Sequence, residues 1–495
     1  MILSHDLGTT GDKATLVDAD GSVAAAATAP YGTDFGPRGK AEQDPGAWWE
    51  ALCRATRQLL DARPGAAAAV EAVCFSGQMM GAVLLDAARA PVRPAIIWAD
   101  TRSTAQSEQL VQRVGMDAGY RTTGHRLNAT YSLSKVMWVR DHEPEVFERV
   151  RHVVQAKDLM VARLTGQVVT DPSDASSTNA FDQRSGTWSG ELLAAAGLDA
   201  GLFPEIVPST TVVGRVGREA AAASGLLAGT PVVLGGGDGP VGALGAGVVD
   251  AACGAYAYLG SSSWISLAAD APLHDPLMRT MTFNHVVPGR YVPTATMQAG
   301  GASLQWVVDL LEPGGASRYE RLLGAAAGVR ASEDGLYFLP HLLGERSPYW
   351  NPRARAVFAG LARHHGPEHL TRAVVEGVAF NLRTGLKAFV DNGADVGRID
   401  AIGGAANSPA LLRILADVWG VPVRRLDLVD EATAVGAAVV GGVGVGAYEG
   451  FAVAERFSAR GVELAPDAAA HERYRGEHEV FLDAYRRLEP WFEAL

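Results

Sequence analysis

Short apolar stretches alternate with segments of helical periodicity along much of the chain. Residues 2–7 and 14–18 are predicted strands joined by the turn GTTGDK, and residues 70–75 and 82–85 form two further predicted strands. Between them, the pair Asp44-Pro45 is typical of a helix start, and apolar residues keep helical spacing after it. This alternation of strands and helices predicts an α/β architecture.

The second half of the chain repeats the pattern of the first. Residues 255–270 are predicted to form a hairpin around Gly-Ser-Ser, similar in form to the opening strand–turn–strand unit, so we expect a duplicated fold. Residues 367–389 carry apolar positions mostly four apart and predict a long amphipathic helix. A length of 495 residues predicts two large domains, which we place at 1–247 and 248–495.

Composition narrows the possible partners. The net charge is −12 and no cluster of lysine or arginine occurs, which argues against nucleic acid or an anionic membrane as partner. The apolar run 432–448 contains glycines and is short for a membrane span, so we expect a buried helix there. Three dispersed cysteines and an N-terminus without a basic start and long apolar core favour a cytoplasmic protein. A homodimer is a possible assembly.

The stretch Val232–Gly247 passes from an apolar strand into a G-x-G-x-x-G pattern and then into a helix-compatible segment. This order is compatible with a dinucleotide-binding turn and hence with an NAD(P)-dependent oxidoreductase. The acidic residue that should follow about 20 residues later is missing from AYAYLGSSSW, however. Asp238, inside the glycines, is therefore a candidate for a different chemistry.

Three separate turns combine glycines with backbone and hydroxyl donors suited to phosphates, although no Walker sequence is present. They are Gly8-Thr9-Thr10, Gly260-Ser261-Ser262 and Gly403-Gly404-Ala405. Together they predict a nucleotide cleft, while each alone is more often an ordinary turn. Asp6, just before the first turn, is a candidate for holding Mg²⁺ through water, or it caps the turn.

Two longer segments resemble a known family. Residues 131–142 (YSLSKVMWVRDH) resemble the first signature of the FGGY carbohydrate kinases, and the region 356–376 resembles the second. The resemblance extends from Asp6 to about Gly446, and within the family it is greatest to xylulokinases. The segments that carry this finer resemblance are SGQMMG, RPAIIWADTRS, GGGD and FLPHLLGERSPYWNP.

The resemblance implies the two-lobed fold of the actin, hexokinase and Hsp70 ATPases, built from two ribonuclease H-like domains. It implies ATP-dependent phosphorylation of a sugar hydroxyl, with Asp238 as the catalytic base, Mg²⁺ near Asp6 and Asp238, and ATP between the lobes. The implied sugar-side residues are Met79, Met80, Trp98, Asp100, Arg102 and Asp238. We assign to the nucleotide Gly8, Thr9, Thr10, Lys13, Gly260, Ser261, Ser262, Gly403, Gly404, Ala405 and Asn407. We expect Asp238 to act near its ordinary pKa, because phosphoryl transfer passes through a loose transition state.

The acceptor is open between a ketopentose such as D-xylulose and gluconate, ribulose or a polyol. Xylulokinases usually carry His where this chain has Met80, and Gln or Asn where it has Gly239. A non-catalytic ATP- or sugar-binding protein of the same fold is the alternative from another class. Glu345-Arg346 is interpreted either as a buried salt bridge or as a ligand contact. His364-His365 is expected to be an exposed loop pair rather than a metal site, because adjacent residues rarely point at one ion and no third ligand is expected nearby.

Overall fold

The computed structural model describes residues 1–314, 317–427, 431–458 and 461–495. The strands of the first half are β1 Ile2–Leu7, β2 Gly11–Val17, β3 Val23–Pro30, β4 Asp34–Gly36, β5 Lys40–Gln43, β6 Ala72–Gly77, β7 Val83–Leu85, β8 Ala95–Ile96, β9 His152–Val154, β10 Val169–Thr170, β11 Phe181–Asp182, β12 Thr187–Trp188, β13 Glu205–Ile206, β14 Val212–Arg215, β15 Pro231–Val233 and β16 Gly236–Gly237. Those of the second half are β17 Ala255–Leu259, β18 Ser263–Leu267, β19 Met281–Asn284, β20 Tyr291–Met297, β21 Tyr337–Leu339, β22 Val357–Ala359, β23 Ile399–Ile402, β24 Val423–Leu426 and β25 Gly461–Leu464.

The helices surround the two main sheets. They are α1 Pro45–Ala62, α2 Ala66–Ala69, α3 Thr104–Val114, α4 Met116–Thr123, α5 Ser132–His142, α6 Pro144–Phe147, α7 Ala156–Thr165, α8 Pro172–Ala175, α9 Gly190–Ala196, α10 Arg218–Ser224, α11 Asp238–Gly245, α12 Gly301–Leu311, α13 Arg318–Ala326, α14 Pro367–Asp391, α15 Pro409–Trp419, α16 Ala432–Gly444, α17 Val453–Phe457 and α18 Ala468–Glu493. Across the described ranges, none of these helices combines the length and the apolar character that crossing a membrane requires.

The two main sheets share a strand order, apart from one additional edge strand, β19, in the second. The first runs β3-β2-β1-β6-β15-β14, with β16 also paired to β6, and the second runs β19-β20-β18-β17-β23-β24-β25. In each, an antiparallel hairpin (β1–β2 or β17–β18) lies beside two further parallel strands (β6 and β15, or β23 and β24). The repeated order confirms the duplicated ribonuclease H-like fold, and its two sheets use strands from either side of residues 247–254.

The predicted elements match the structure closely where the periodicity is long. Asp44 caps α1 by accepting a hydrogen bond from the Gly46 N–H, and the predicted helix over 367–389 is α14. The apolar run after residue 432 is the buried helix α16. The strand expected at 82–85 exists as β7, but it pairs with β9 in a small sheet outside the two main ones. The element boundaries differ by one to three residues because strand ends depend on the partner strand.

The two halves of the chain meet through two crossing helices, α11 and α16. Helix α16 packs on β1 and β6, so that Val439 and Val440 share a core with Ile2 and Cys74 of the first sheet. At the crossing, a side chain on Gly245 or Gly436 would collide with backbone of the other helix, at 1.7 Å from the Ala432 carbonyl oxygen and at 2.1 Å from the Val241 carbonyl oxygen respectively. The glycines therefore permit backbone contact between the helices, and both helices begin at the cleft between the lobes.

Candidate active site

A cavity of about 360 Å³ lies between the two lobes. Its lining includes Asp6, Gly8, Thr9, Thr10, Met79, Met80, Trp98, Asp238 and Ser262, all predicted from the sequence as site residues. Residues of the second lobe complete the wall, among them Tyr256, Tyr258 and Arg346. The structure thus brings together residues that are as far apart in sequence as Asp6 and Arg346. A cavity of this size can hold a small sugar and part of a nucleotide.

The first glycine turn is held in place by side chains from three other segments. The Tyr31 hydroxyl donates to the Gly8 carbonyl, and the Gln43 amide donates to the Thr9 carbonyl at 2.7 Å. The Trp98 indole N–H donates to the Thr9 hydroxyl at 2.9 Å. These bonds use oxygens of the turn. They fix the conformation of the turn, whose residues Gly8, Thr9 and Thr10 line the cavity.

Asp238 is the first residue of α11 and follows directly on the two-residue strand β16. The sharp turn before it requires glycine, because Gly235 has a φ of +77° and a Cβ there would lie 1.8 Å from the Phe75 carbonyl oxygen. The Gly237 N–H donates to the Ser173 hydroxyl at 2.9 Å. The backbone immediately before Asp238 is therefore held at two points, by the tight turn at Gly235 and by the hydrogen bond of the Gly237 N–H.

Burial, together with the nearby Asp6 carboxylate, raises the pKa of Asp238 to about 7. Burial likewise raises the pKa of Asp6 to about 6, although the Ser76 hydroxyl donates to it at 3.0 Å. The expectation that Asp238 has an ordinary pKa is therefore wrong for the chain alone. Asp6 and Asp238, two carboxylates that line one cavity, form a donor set suited to a hard divalent cation such as Mg²⁺.

A buried ion cluster lies behind Ser173. The Ser173 hydroxyl donates to Asp171 at 2.5 Å, and the Lys157 ammonium lies 2.6, 2.9 and 3.0 Å from Asp158, Asp171 and Asp174. All four ionisable side chains are fully buried. Burial opposes the charge on Lys157, but the three carboxylates raise its pKa well above the ordinary value, and burial raises that of Asp174. Lys157 is thus connected to the backbone before Asp238 through Asp171 and Ser173.

The sugar-side prediction includes Met80, which has an unusual backbone. Its φ is +64°, in the left-handed region that disfavours a side chain. The Ser177 hydroxyl accepts a hydrogen bond from the Met80 N–H at 3.2 Å, and the fully buried Lys135 ammonium donates to the Met80 carbonyl at 2.7 Å. Burial lowers the pKa of Lys135 to about 7. Lys135, part of the first signature, therefore holds a strained residue of the cavity wall.

Asp100 and Arg102 lie behind the cavity and are absent from its lining. Asp100 is fully buried, accepts from the Ala41 N–H at 2.7 Å and pairs with the Arg102 guanidinium. Arg102 also contacts Glu42 at 2.9 Å and lies 4.8 Å over the Trp138 ring. In this structure these contacts support the segment that carries Trp98, and direct contact of Asp100 or Arg102 with a sugar stays a prediction.

The second and third glycine turns are neighbours. The Gly260 and Ser261 carbonyls accept from the N–H groups of Gly301 and Ala302 at the start of α12, at 2.8 and 3.0 Å. Gly403 has a φ of +90°, and a Cβ there would lie 2.9 Å from the Leu259 backbone. Of these turns only Ser262 lines the main cavity, whereas Ala405 lines a small apolar cavity of about 20 Å³.

The other predicted nucleotide residues lie outside the lining of the main cavity. Gly404 and Asn407 bound the short 3₁₀ turn before α15, and Lys13 lies 3.7 Å from Glu431 of the other lobe. Their contacts with a nucleotide stay predictions.

Several cavity residues of the second lobe belong to no motif that is recognisable in the sequence. Tyr258 and Trp264 stack at 4.1 Å, and the Tyr256 hydroxyl donates to the Gly239 carbonyl at 3.0 Å. These aromatic residues lie on β17 and β18 and face the cavity from the opposite lobe. The hairpin was recognised from its glycine turn alone. The alternation of side chains along β17 and β18 could have indicated which face of the hairpin points inward. That this face lines a cavity with the other lobe has no local signal in the sequence.

The neighbours Glu345 and Arg346 have different surroundings in the structure. Glu345 is buried and accepts from the Gln298 N–H at 2.9 Å and from the Asn381 amide at 3.0 Å, whereas Arg346 lines the cavity. The interpretation as a salt bridge between the two side chains therefore fails, and the interpretation of Arg346 as a candidate ligand contact remains.

The expectation that His364-His365 has no third ligand nearby is wrong. Asp334 lies close enough for the three side chains to surround one ion. The Nδ1 of His365 accepts from the Ala362 N–H at 3.0 Å, however, which leaves the proton of a neutral ring on Nε2. That tautomer cannot bind a metal through Nε2, which argues against a metal site. Of the expected exposed pair, His364 is exposed and His365 is half-buried.

Comparison with known proteins decides the family. Residues 1–245 match the FGGY family of carbohydrate kinases, N-terminal domain, and residues 255–445 match its C-terminal domain. The chain belongs to the FGGY family of carbohydrate kinases. It is an ATP-dependent kinase of a sugar hydroxyl, with the two-lobed α/β fold of that family.

Individual relatives cover the whole chain. A xylulose kinase of Escherichia coli (strain K12) is 34% identical, covering 99% of this chain and 99% of the relative. A gluconokinase of Bacillus licheniformis is 29% identical, covering 99% and 96%. The crystal structure of xylulose kinase from Rhodospirillum rubrum is 32% identical, with a TM-score of 0.90 and 99% of each chain covered. Family membership and the carboxylate in the cavity thus agree on phosphoryl transfer, and the oxidoreductase alternative is set aside.

Proposed function

We propose that this FGGY kinase phosphorylates a ketopentose, with D-xylulose as the substrate and xylulose 5-phosphate as the product. The observation that supports this choice is the end-to-end similarity to xylulose kinases, both in sequence and in a solved structure. The cavity adds a carboxylate between an aromatic sugar-side wall and a hydroxyl-bearing glycine turn.

In the proposed mechanism Asp238 is the general base. Its carboxylate accepts the proton of the terminal sugar hydroxyl while that oxygen attacks the γ-phosphorus of ATP in line. The new O–P bond forms as the bond to the bridging oxygen breaks, and ADP leaves. A pKa raised to about 7 matches a base that must take up a proton near neutral pH. The fixed backbone of Gly237 keeps the carboxylate in position.

Asp6 and Asp238 are the residues that we propose to hold Mg²⁺. When bound, the ion would neutralise charge on the phosphates. The chain's own contribution lies in the backbone N–H groups and the hydroxyls of Thr9 and Thr10, which line the same cavity and can bind phosphate oxygens. The Gly8 N–H already donates to the Asp6 and Gly11 carbonyls and holds the turn closed.

The test is an ADP-release assay on D-xylulose, D-ribulose, L-ribulose, gluconate, glycerol and erythritol. We expect D-xylulose to give the highest kcat/KM, and Asp238→Asn to lower kcat by at least roughly 100-fold, as loss of a general base does, while ATP still binds. Asp270→Asn, which changes an exposed aspartate, serves as the control and should retain activity. Near-normal turnover of Asp238→Asn would disprove the role of the base.

Gluconate is the second candidate substrate, favoured by the similarity to a gluconokinase and by the absence of a polar side chain at Met80 and Gly239. A higher kcat/KM for gluconate than for D-xylulose would select it. ADP release that no sugar stimulates would instead favour a non-catalytic ATP- or sugar-binding protein.

We further propose a cytoplasmic enzyme that requires neither nucleic acid nor a membrane, in keeping with its net charge of −12 and three free cysteines. A homodimer is the proposed assembly. Light scattering of the purified protein would test it, and a monomeric mass would reject it.

A further inference from the structure

Arg346 reaches into the cavity from a loop whose backbone is firmly held. The buried Glu345 carboxylate accepts from the Arg346 N–H at 3.0 Å, as well as from Gln298 and Asn381. The Trp350 N–H donates to the Arg346 carbonyl at 2.5 Å, and the Trp350 indole N–H donates to the Met278 carbonyl at 2.6 Å. The direction of the Arg346 side chain is therefore set by bonds that do not involve its guanidinium.

The guanidinium of Arg346 lies against the sugar-side wall of the other lobe. Its Cζ is 5.7 Å from the centre of the Trp98 ring, and Trp98 is itself fixed by its bond to Thr9. Among the described residues that line the cavity, Arg346 carries the only permanently positive side chain. Its Nε is buried and has no hydrogen-bond partner within the described part of the chain.

A buried donor without an acceptor destabilises a structure, and a charged donor does so more than a neutral one. At the wall of a cavity, a ligand that supplies the acceptor is one explanation for such a group. The guanidinium presents up to five N–H groups in one plane, which suits neighbouring oxygens such as those along a sugar chain.

The same wall is otherwise poor in free donors. Met79 and Met80 have no polar group in the side chain, Gly239 has no side chain, and the Trp98 N–H already donates to Thr9. A sugar in this part of the cavity presents several hydroxyls, and each one left unpaired would weaken binding. Arg346 can supply the missing hydrogen bonds from the opposite lobe.

We propose that Arg346 is an acceptor-binding residue, whose guanidinium donates hydrogen bonds to oxygens of the sugar while stacked on Trp98. The proposal rests on the proposed function, that the cavity binds a sugar to be phosphorylated. It makes sugar binding dependent on both lobes, since Trp98 belongs to one and Arg346 to the other. Arg346 is thereby also a determinant of sugar specificity.

The test compares Arg346→Met, Arg346→Lys and the control Arg355→Met, an exposed arginine further along the same segment. Steady-state kinetics give KM separately for the sugar and for ATP. We expect Arg346→Met to raise the KM for D-xylulose by roughly 10- to 100-fold, the range typical of a lost hydrogen bond to a charged group, with the KM for ATP within about twofold of the wild type. Arg346→Lys keeps the charge without the planar fork, so it should raise the sugar KM to a smaller extent.

A rise in the KM for ATP with an unchanged sugar KM would overturn the proposal, because the guanidinium would then serve the nucleotide phosphates. Unchanged KM values for both substrates would overturn it as well. If Arg346→Met does not fold, Arg346→Lys carries the test, and an unaltered sugar KM in that variant rejects the planar contact. If the wild type prefers gluconate, the proposed substrate fails, while the same comparison with gluconate still decides the role of Arg346.

Discussion

Replacement of Lys157 by methionine removes the one cation of the buried cluster behind the catalytic carboxylate. It leaves Asp158, Asp171 and Asp174, each of which lies within 3.0 Å of the ammonium in the wild type, without a positive partner. Removing one member of a buried ion pair typically destabilises a protein by about 3–5 kcal/mol. For a lobe of this size that corresponds to a fall in Tm of roughly 10 °C, at about 2–4 °C per kcal/mol.

The matched control is Lys387→Met. Lys387 also pairs with an aspartate, Asp391, at 2.7 Å, but both side chains are exposed and the pair spans one helical turn. Such a pair contributes about 0.3–0.5 kcal/mol, so the same substitution there should lower Tm by about 1–2 °C. Differential scanning fluorimetry of both variants measures the contrast.

The cluster also supports the backbone before Asp238 through Asp171 and Ser173, so the perturbation should reach catalysis. Ser173→Ala removes the acceptor of the Gly237 N–H together with the hydroxyl donor to Asp171, and leaves Lys157 in place. We expect kcat to fall by roughly 10-fold, which is about 1.4 kcal/mol of lost positioning, with little change in either KM. A Lys157→Met variant that is no less stable than Lys387→Met would refute the reasoning, as would full turnover in Ser173→Ala.

Three further predictions concern the ionisation of Asp238 and the glycines Gly403 and Gly239. In the metal-free enzyme, Asp238→Asn should raise Tm more at pH 8 than at pH 5. The pKa of Asp238 is raised from 3.8 to about 7 in the folded protein, so the stability that the protonated side chain contributes in acid is lost as the pH rises to 7. Above that pH the negative charge of Asp238 adds to that of Asp6. Mg²⁺ should therefore raise the Tm of the wild type more at pH 8, and a pH-independent shift would contradict this. Gly403→Ala should raise the KM for ATP several-fold, since its Cβ would lie 2.9 Å from the Leu259 backbone at a φ of +90°; an unchanged KM would remove the turn from the nucleotide site. Gly239→Asn should fold normally, because the nearest atom to its Cβ is a methionine sulfur at 3.8 Å, and should change the order of sugar preference in the ADP-release assay.

Much of the fold could be predicted because its signals are local. Long periodicity indicates α14, and a capping pair marks the start of α1. The duplicated hairpins indicate the repeated sheet order. The sequence predicts the small strand β7 but not the sheet to which it belongs, because its partner strand β9 is far away in sequence.

The sequence predicts the acidic and the glycine-bearing parts of the candidate site, because aspartate is typical of a base or a metal ligand and glycine of a phosphate-binding turn. Asp6 and Asp238 line the same cavity as expected. The strained backbone of Met80, the burial of Asp100 and the approach of Arg346 to Trp98 were not predictable, because each results from contacts between distant segments. The same holds for the raised pKa of Asp238, which depends on burial and on a neighbour from another strand.

The crossing of α11 and α16 has a consequence for dividing the chain into fragments. Helix α16 comes late in the sequence but completes the core beneath β1 and β6, so a fragment ending near residue 250 would expose Ile2, Cys74 and their neighbours to water. The fragment that begins after residue 250 would lack α11, whose Ala243 packs in one core with Tyr256 and Ile402 of the second half. Neither half should therefore be soluble when expressed alone, whereas co-expression of the two halves should restore a folded kinase by reassembly of the crossing.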